Sequence, residues 1–261
     1  MKKPLKFFLV AGEPSGDLHG AKLIKAIKRL NPFTSFIGHG GSLMEDEGMT
    51  IIEHINKLSI MGFKEVIVHL PRIWKIMINT ISFIKKVKPD RIILIDYPGF
   101  NLQLAKRIFK LKIPISYFVL PQAWAWKRKR VELVKKYCEQ TYSLFPFEKS
   151  WYNSKGVNTK FFGHPFMDVE HLDETRAQFF KKHNLNQRDK LIALLPGSRQ
   201  QEIIKHWNVY IETITLLKKE IPGLQVVIAK SDNTTFPVID NSFKVEKNAK
   251  KAIVASDVAI V

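Results

Sequence analysis

Asp96 follows the apolar run Arg91–Ile95 and opens the turn Asp96-Tyr97-Pro98-Gly99-Phe100-Asn101. A carboxylate at the carboxyl end of a buried parallel strand faces the crevice where such sheets bind ligands. Held close to a hydroxyl, Asp96 could take its proton as a general base. The plainer reading of an isolated aspartate is a turn or helix cap, and Asn101 is expected to cap the helix that follows. A second candidate is Leu195-Pro196-Gly197-Ser198-Arg199, with Glu202 beyond it. Gly197 permits close backbone approach, and Ser198 is of N-cap type. Arg199 would project from a helix N-terminus, where dipole and guanidinium both favour an anion. A third is Ala11-Gly12-Glu13-Pro14-Ser15-Gly16-Asp17. Its exposed N–H groups could hold a phosphate or a sugar hydroxyl, with Ser15 or Asp17 capping the helix and Gly16 allowing close approach. It is neither G-x-G-x-x-G nor a P-loop, which argues against a dinucleotide or Walker site.

Pro121-Gln122-Ala123-Trp124-Ala125-Trp126-Lys127-Arg128-Lys129-Arg130 joins two tryptophans to four consecutive basic residues. Trp is costly to expose and adjacent like charges are costly to bury. The segment therefore reads either as the rim of a cleft or membrane surface, or as a turn with core-packed Trp before a solvated helix. Gly38-His39-Gly40-Gly41 reads equally as a binding loop or a flexible connection. Between Ile60 and Lys86, Trp74, Met77, Ile78, Ile81 and Ile84 share one helical face, and Ile73, Ile76 and Phe83 widen it. Core packing explains one stripe; the added width and flanking Lys and Arg suit a helix in a membrane interface. The histidines show no metal-ligand spacing, so no metal site is expected.

These segments need elements to hold them. Strands are predicted at Leu5–Ala11, Ser35–Gly38, Arg91–Asp96, Ile115–Leu120, Thr141–Leu144 and Lys160–Phe162. Helices are predicted at Asp17–Leu30, Ile73–Val87, Leu102–Leu111, Lys127–Tyr137 and Glu148–Ser154. A polar bridge with a helix near Glu174–His183 follows. Strand Leu191–Leu195, helix Gln201–Glu220, strand Leu224–Ala229, helix Ala249–Ala255 and strand Val258–Val261 make a second series. Alternation of this kind implies α/β units with parallel sheets, in two Rossmann-like lobes facing across a cleft. The expected divisions are 1–164, a linker at 165–189, and 190–261. The second series is short and stops inside a strand, so a C-terminally truncated, incomplete second lobe is expected.

At 261 residues, 45% hydrophobic and 25% charged, the balance is globular. The formal net charge of +18 favours an anionic partner: a phosphorylated ligand, an acidic lipid surface or nucleic acid. Cys138 is the only cysteine, which removes intrachain disulfides and Cys-based zinc sites. The amino-terminal apolar run is short and soon followed by Glu13, Ser15 and Asp17, so it reads as a first strand rather than a signal peptide. No apolar run is long enough to span a bilayer as one helix.

Taken in order, AGEPSGDLHG, GG-x₂-M-x₃-G, MGFKEV, IDYPGFN, PQAWAWKRKR, FPFEKSWY, FGHP, LPGSRQQEI and ASDVAIV resemble the lipid A disaccharide synthase family of Gram-negative bacteria. The resemblance implies a GT-B-type inverting glycosyltransferase at the cytoplasmic face of the inner membrane. Its substrates would be UDP-diacylglucosamine and diacylglucosamine 1-phosphate (lipid X), with UDP released and no cofactor or catalytic metal. Asp96 matches the proposed general base, and Arg199, with Gly197 and Ser198, the donor diphosphate contact. Ser15, Gly16 and Asp17 match a loop near the cleft, and Gln122, Trp124 and Arg130 the tryptophan-rich motif. Met61, Phe63, Val66, Trp74, Met77, Ile78 and Ile81 match a patch for acyl chains and an anionic membrane surface. The resemblance also implies further C-terminal segments, beginning S-G-T-x-T-L-E, that supply much of the uridine and diphosphate pocket. The alternatives are an inactive remnant, another GT-B enzyme, or a basic lipid- or RNA-binding module; no RNA-binding signature supports the last, and no nucleic-acid partner is expected.

Overall fold

The computed structural model describes residues 3–58, 63–165, 167, 173–198, 200–230, 234–237 and 242–261, with backbone alone for 57 and 63–69. The chain divides into two compact units, Met1–Asp168 and Val169–Val261.

The first unit holds strands β1 (Lys6–Val10), β2 (Ser35–Gly40), β3 (Thr50–His54), β4 (Arg91–Ile95), β5 (Ile115–Phe118), β6 (Gln140–Tyr142) and β7 (Thr159–Lys160). Its helices are α1 (Pro14–Leu30), α2 (Ser42–Asp46), α3 (Phe63–Val87), α4 (Pro98–Ile108), α5 (Arg130–Tyr137) and α6 (Pro146–Ser154). The strands form one seven-stranded sheet in the order β3-β2-β1-β4-β5-β6-β7, with every pair parallel. Both faces are covered, as the period-two alternation of the central strands requires. Phe8, Val10, Ile92 and Leu94 enter one core and Leu9, Ala11, Ile93 and Ile95 the other. Each of these side chains other than that of Ala11 contributes about 1.5–3 kcal/mol by leaving water. The strand order reverses direction between β1 and β4, which places the switch-point crevice at their carboxyl ends. The helices that leave this edge open with Pro14, Pro98 and Pro146. Proline there presets φ and lacks an N–H that the first turn would leave unpaired.

Three expectations need correction. The basic run after Trp126 does not begin a helix: α5 starts only at Arg130, because Lys127 takes a left-handed φ of 52° that interrupts the turn. Helix α3 does not start after Pro71 but contains it. The apolar patch on α3 is divided: Ile76, Met77 and Ile84 are core residues and Ile81 is half-buried, while Trp74 and Ile78 are exposed. Met77 therefore belongs to the interior. Met61 and the side chains of Phe63 and Val66 lie outside the described residues.

The second unit is a four-stranded parallel sheet, β10-β9-β8-β11, of β8 (Leu191–Leu194), β9 (Gln225–Ala229), β10 (Phe243–Glu246) and β11 (Val258–Ile260). Helix α8 (Gln200–Glu220) covers one face through Ile203, Trp207 and Ile214. The other face takes α9 (Ala249–Ala255) and α7 (Arg176–Lys182). The segment expected as a linker thus contains core: Phe179 and Phe180 of α7 are buried against Leu191, Ala193 and Val227.

Ions fasten α7 to this sheet. Glu246 is buried and accepts from Lys182 Nζ at 2.6 Å, His183 Nε2 at 2.9 Å and the Asn248 amide at 2.8 Å. Burial alone would raise its pKa, but these donors outweigh it and hold the carboxyl down at about 2. A depressed carboxylate stabilises the fold above its unfolded value of 4.5 and loses that contribution as pH falls toward about 2. Glu246→Gln is expected to cost about 1.5–3 kcal/mol at neutral pH, with the difference closing across that acid window. Denaturant melts at a series of pH values check it; a pH-independent difference would remove the ionic account.

Candidate active site

Asp96 and Tyr97 both take left-handed backbone conformations, φ 44° and 47°. Two consecutive non-glycine residues there cost on order of 1–2 kcal/mol each, so the surroundings must impose the turn. They do so through the peptide carbonyl of Asp96. It accepts from Asn101 Nδ2 at 2.7 Å and from Tyr117 Oη at 2.7 Å. Asn101, fully buried, also lies 3.3 Å from the Val10 carbonyl and 3.2 Å from that of Ile95. It therefore staples the ends of β1 and β4 from inside α4, rather than capping that helix. Tyr97 donates its hydroxyl to the Leu58 carbonyl at 3.0 Å and stacks on Phe100. Its ring lies over Gly12, where a Cβ would stand 2.3 Å from Tyr97 Cδ1.

The result is a carboxylate at the switch-point edge in a perturbed environment. Burial raises the Asp96 pKa from 3.8 to about 6, and the carboxylate of Glu13 adds to the rise. The Tyr97 amide and the Arg130 guanidinium pull the other way. A group that titrates near neutrality in a crevice suits proton abstraction. Glu13 was not singled out in the sequence; its signal was its place at the carboxyl end of the first strand. Burial, and then Glu13, push the Tyr97 phenol up to about 12.

The tryptophan-rich segment flanks this edge. Trp124 is half-buried, donates its indole N–H to Glu148 Oε1 at 3.0 Å and meets Phe147 edge to face. Glu148, 1% exposed, takes the Leu144 and Phe145 amides on its other oxygen, tying the amino end of α6 to the residues before it. A Glu three residues after Phe145 could have shown the amide contact, but not its link to Trp124. Tyr152 donates to the Pro121 carbonyl. Trp126 is exposed, with Lys127 Nζ 4.7 Å and Arg130 Cζ 4.6 Å from its ring centroid. Arg130 thus connects the aromatic rim to the field at Asp96. Gln122 is exposed.

The remaining candidates separate. Asp17 is buried and serves the fold: its oxygens accept from the Gly41, Leu43 and Met44 amides at 2.7, 3.1 and 3.1 Å, at the start of α2. Gly16 packs α1 on β1, where a Cβ would stand 3.2 Å from that of Ala11, and Ser15 is exposed. In the second unit, Gly197 has a φ of 125°, and a Cβ there would stand 2.9 Å from Glu202. Ser198 is exposed, and Gln200 of α8 exchanges hydrogen bonds with the backbone of Thr235 at 2.9 Å. Arg199 lies outside the described residues.

Known proteins resemble this chain in sequence and in fold. Residues 7–261 match the family model described as lipid-A-disaccharide synthetase. The lipid-A-disaccharide synthase of Myxococcus xanthus is 34% identical over 269 residues, spanning 100% of this chain and 70% of that protein. That of Coxiella burnetii is 35% identical over 244 residues, spanning 92% of this chain and 65% of that protein. A UDP-GlcNAc 2-epimerase from Neisseria meningitidis, bound to UDP-GlcNAc, superposes with a TM-score of 0.64 at 13% identity, covering 96% of this chain and 74% of that one. A Streptomyces glycosyltransferase complexed with thymidine diphosphate gives 0.53 at 12% identity, covering 98% and 75%. At such identities the structures show fold alone: parallel α/β units of the GT-B type. The family match and the relatives' identity place this chain in the lipid-A-disaccharide synthase family, a family of glycosyltransferases.

Proposed function

We propose that the chain serves inverting transfer of diacylglucosamine from UDP-diacylglucosamine to a hydroxyl of lipid X, releasing UDP. The observation that supports this most is Asp96, a carboxylate locked at the switch-point edge with its pKa raised to about 6. Asp96 takes the acceptor hydroxyl proton as that oxygen attacks the anomeric carbon of the donor. The bond from that carbon to the diphosphate breaks, its electron pair leaves with UDP, and the configuration inverts. Arg199 and the amino end of α8 stabilise charge developing on the diphosphate. The proton on Asp96 then passes to solvent.

The relatives extend beyond the share of them that this chain spans. Activity is therefore tested by UDP release from UDP-diacylglucosamine plus lipid X, beside a relative such as the Myxococcus enzyme. UDP release that requires lipid X supports the reading; none, under conditions where the relative turns over, rejects it for this chain. Arg199→Ala is expected to weaken UDP binding roughly 10–100-fold, as loss of a charge-assisted pair should. Calorimetric titration that finds unchanged affinity rules out its phosphate contact.

Location at an anionic membrane surface belongs to the same proposal. No helix among the described residues is long and apolar enough to cross a membrane. Leu70, Trp74 and Ile78 are exposed on α3, and Arg107 of α4 lies 4.8 Å over the Trp74 ring. An aromatic and aliphatic patch rimmed by cations suits the headgroup region.

A further inference from the structure

We infer that His19, Lys22 and His164 form a phosphate-binding site in the first unit. Two segments far apart in sequence assemble it. His19 and Lys22 lie one turn apart on α1, and Lys22 Nζ donates to the Pro165 carbonyl at 3.2 Å. That contact brings the neighbouring His164 to the same face. Gly163, with a φ of 106°, turns the chain out of β7 to make this approach. The His164 ring packs on Phe145 at 5.5 Å between centroids, and His19 on Phe118 at 6.2 Å.

His19 is 7% exposed. Its pKa is lowered by burial first and then by the charges of His164 and Lys22. Burial and two basic neighbours together disfavour the charged form of His19. A phosphate reverses the sign of the interaction: ring N–H groups and an ammonium then make charge-assisted hydrogen bonds to one anion. The cluster also lies on the catalytic edge. Phe118, against which His19 packs, accepts the Asp96 amide on its carbonyl at 3.0 Å. The ligand class is a phosphate ester. Its source rests on the function proposed above: the phosphomonoester of the acceptor sugar, or the diphosphate of the donor.

The test reads binding, so it stands whether or not the chain turns over. Histidine ring resonances of the selectively labelled chain are followed at constant ionic strength during addition of glucosamine 1-phosphate, UDP or glucosamine. The expected result is joint, saturable movement of the His19 and His164 signals with glucosamine 1-phosphate and none with glucosamine. Lys22→Ala and His164→Gln should each raise the apparent Kd roughly tenfold. Both positions are half-buried rather than core, and a thermal melt verifies that the variants fold. Saturation by UDP at lower concentration than by the monoester supports the site and assigns it to the donor's diphosphate. Absence of saturable movement with either phosphate, or an affinity unchanged in both folded variants, overturns the inference.

Discussion

Asp96→Asn is expected to abolish most turnover and at the same time stabilise the protein above pH 6. The amide keeps the shape of the side chain but cannot accept the acceptor's proton, so a loss of roughly 10²–10⁴ in rate follows in any form that turns over. The stability effect follows from linkage. The folded pKa of about 6 lies above the ordinary 3.8. A raised carboxyl binds its proton more tightly when folded, so wild-type stability falls as pH rises from about 3.8 to about 6. Above that window the ionised form carries a penalty of about 2–3 kcal/mol, reduced by the partial exposure of Asp96. Asn carries none of it. Melts of both proteins at pH 4 to 8 should diverge upward through the window, with the variant higher. Equal melting at pH 8 would mean that the ionised carboxylate is well solvated, and near-normal turnover would remove Asp96 as the base.

Gly12→Ala is expected to cost about 2–4 kcal/mol, among the largest effects of one added methyl in this fold. The new Cβ would meet the Tyr97 ring at 2.3, 2.4 and 2.7 Å. That ring cannot swing aside freely, because its hydroxyl is held by Leu58 and its face by Phe100. Relief must come from the turn carrying Asp96, so UDP release should fall along with stability. The double variant Gly12→Ala with Tyr97→Gly removes both the clash and one left-handed non-glycine residue. It should be less destabilised than the sum of its parts, and a urea-midpoint double-mutant cycle measures the coupling. A single variant within about 0.5 kcal/mol of wild type would show that the turn yields easily.

The frame was largely legible because strong local signals agree. The runs KFFLV and RIILI, bounded by turns, read as buried strands, whereas the helix starts expected at Asp17, Leu102 and Glu148 lie two to four residues earlier, at Pro14, Pro98 and Pro146. What escaped was non-local or short. β3 and β10 were missed: TIIEH and FKVE are brief, and their strand character comes from the neighbours they pair with. Asp17 looked like a cleft residue because its partners, the amides at 41, 43 and 44, are brought to it only by the β1–β2 pairing. Asp96 was readable from its place after a strand. Its strained backbone, the staple from Asn101 and the influence of Glu13 were not, since each depends on contacts across the sheet. Arg130 was readable as a member of its segment, but not as the cation that acts on Asp96.

β1 lies in the middle of its sheet, between β2 and β4. β1 is therefore half-paired until residue 95 emerges, more than 80 residues later. At roughly 5–20 residues per second, Phe7, Phe8, Leu9 and Val10 wait on the order of ten seconds with one strand edge open. The nascent chain thus offers a sticky aliphatic edge for that interval, and β4 closes it in the same event that creates the turn at Asp96. Ribosomal pausing before residue 95 would lengthen the exposure of β1 and favour aggregation through it.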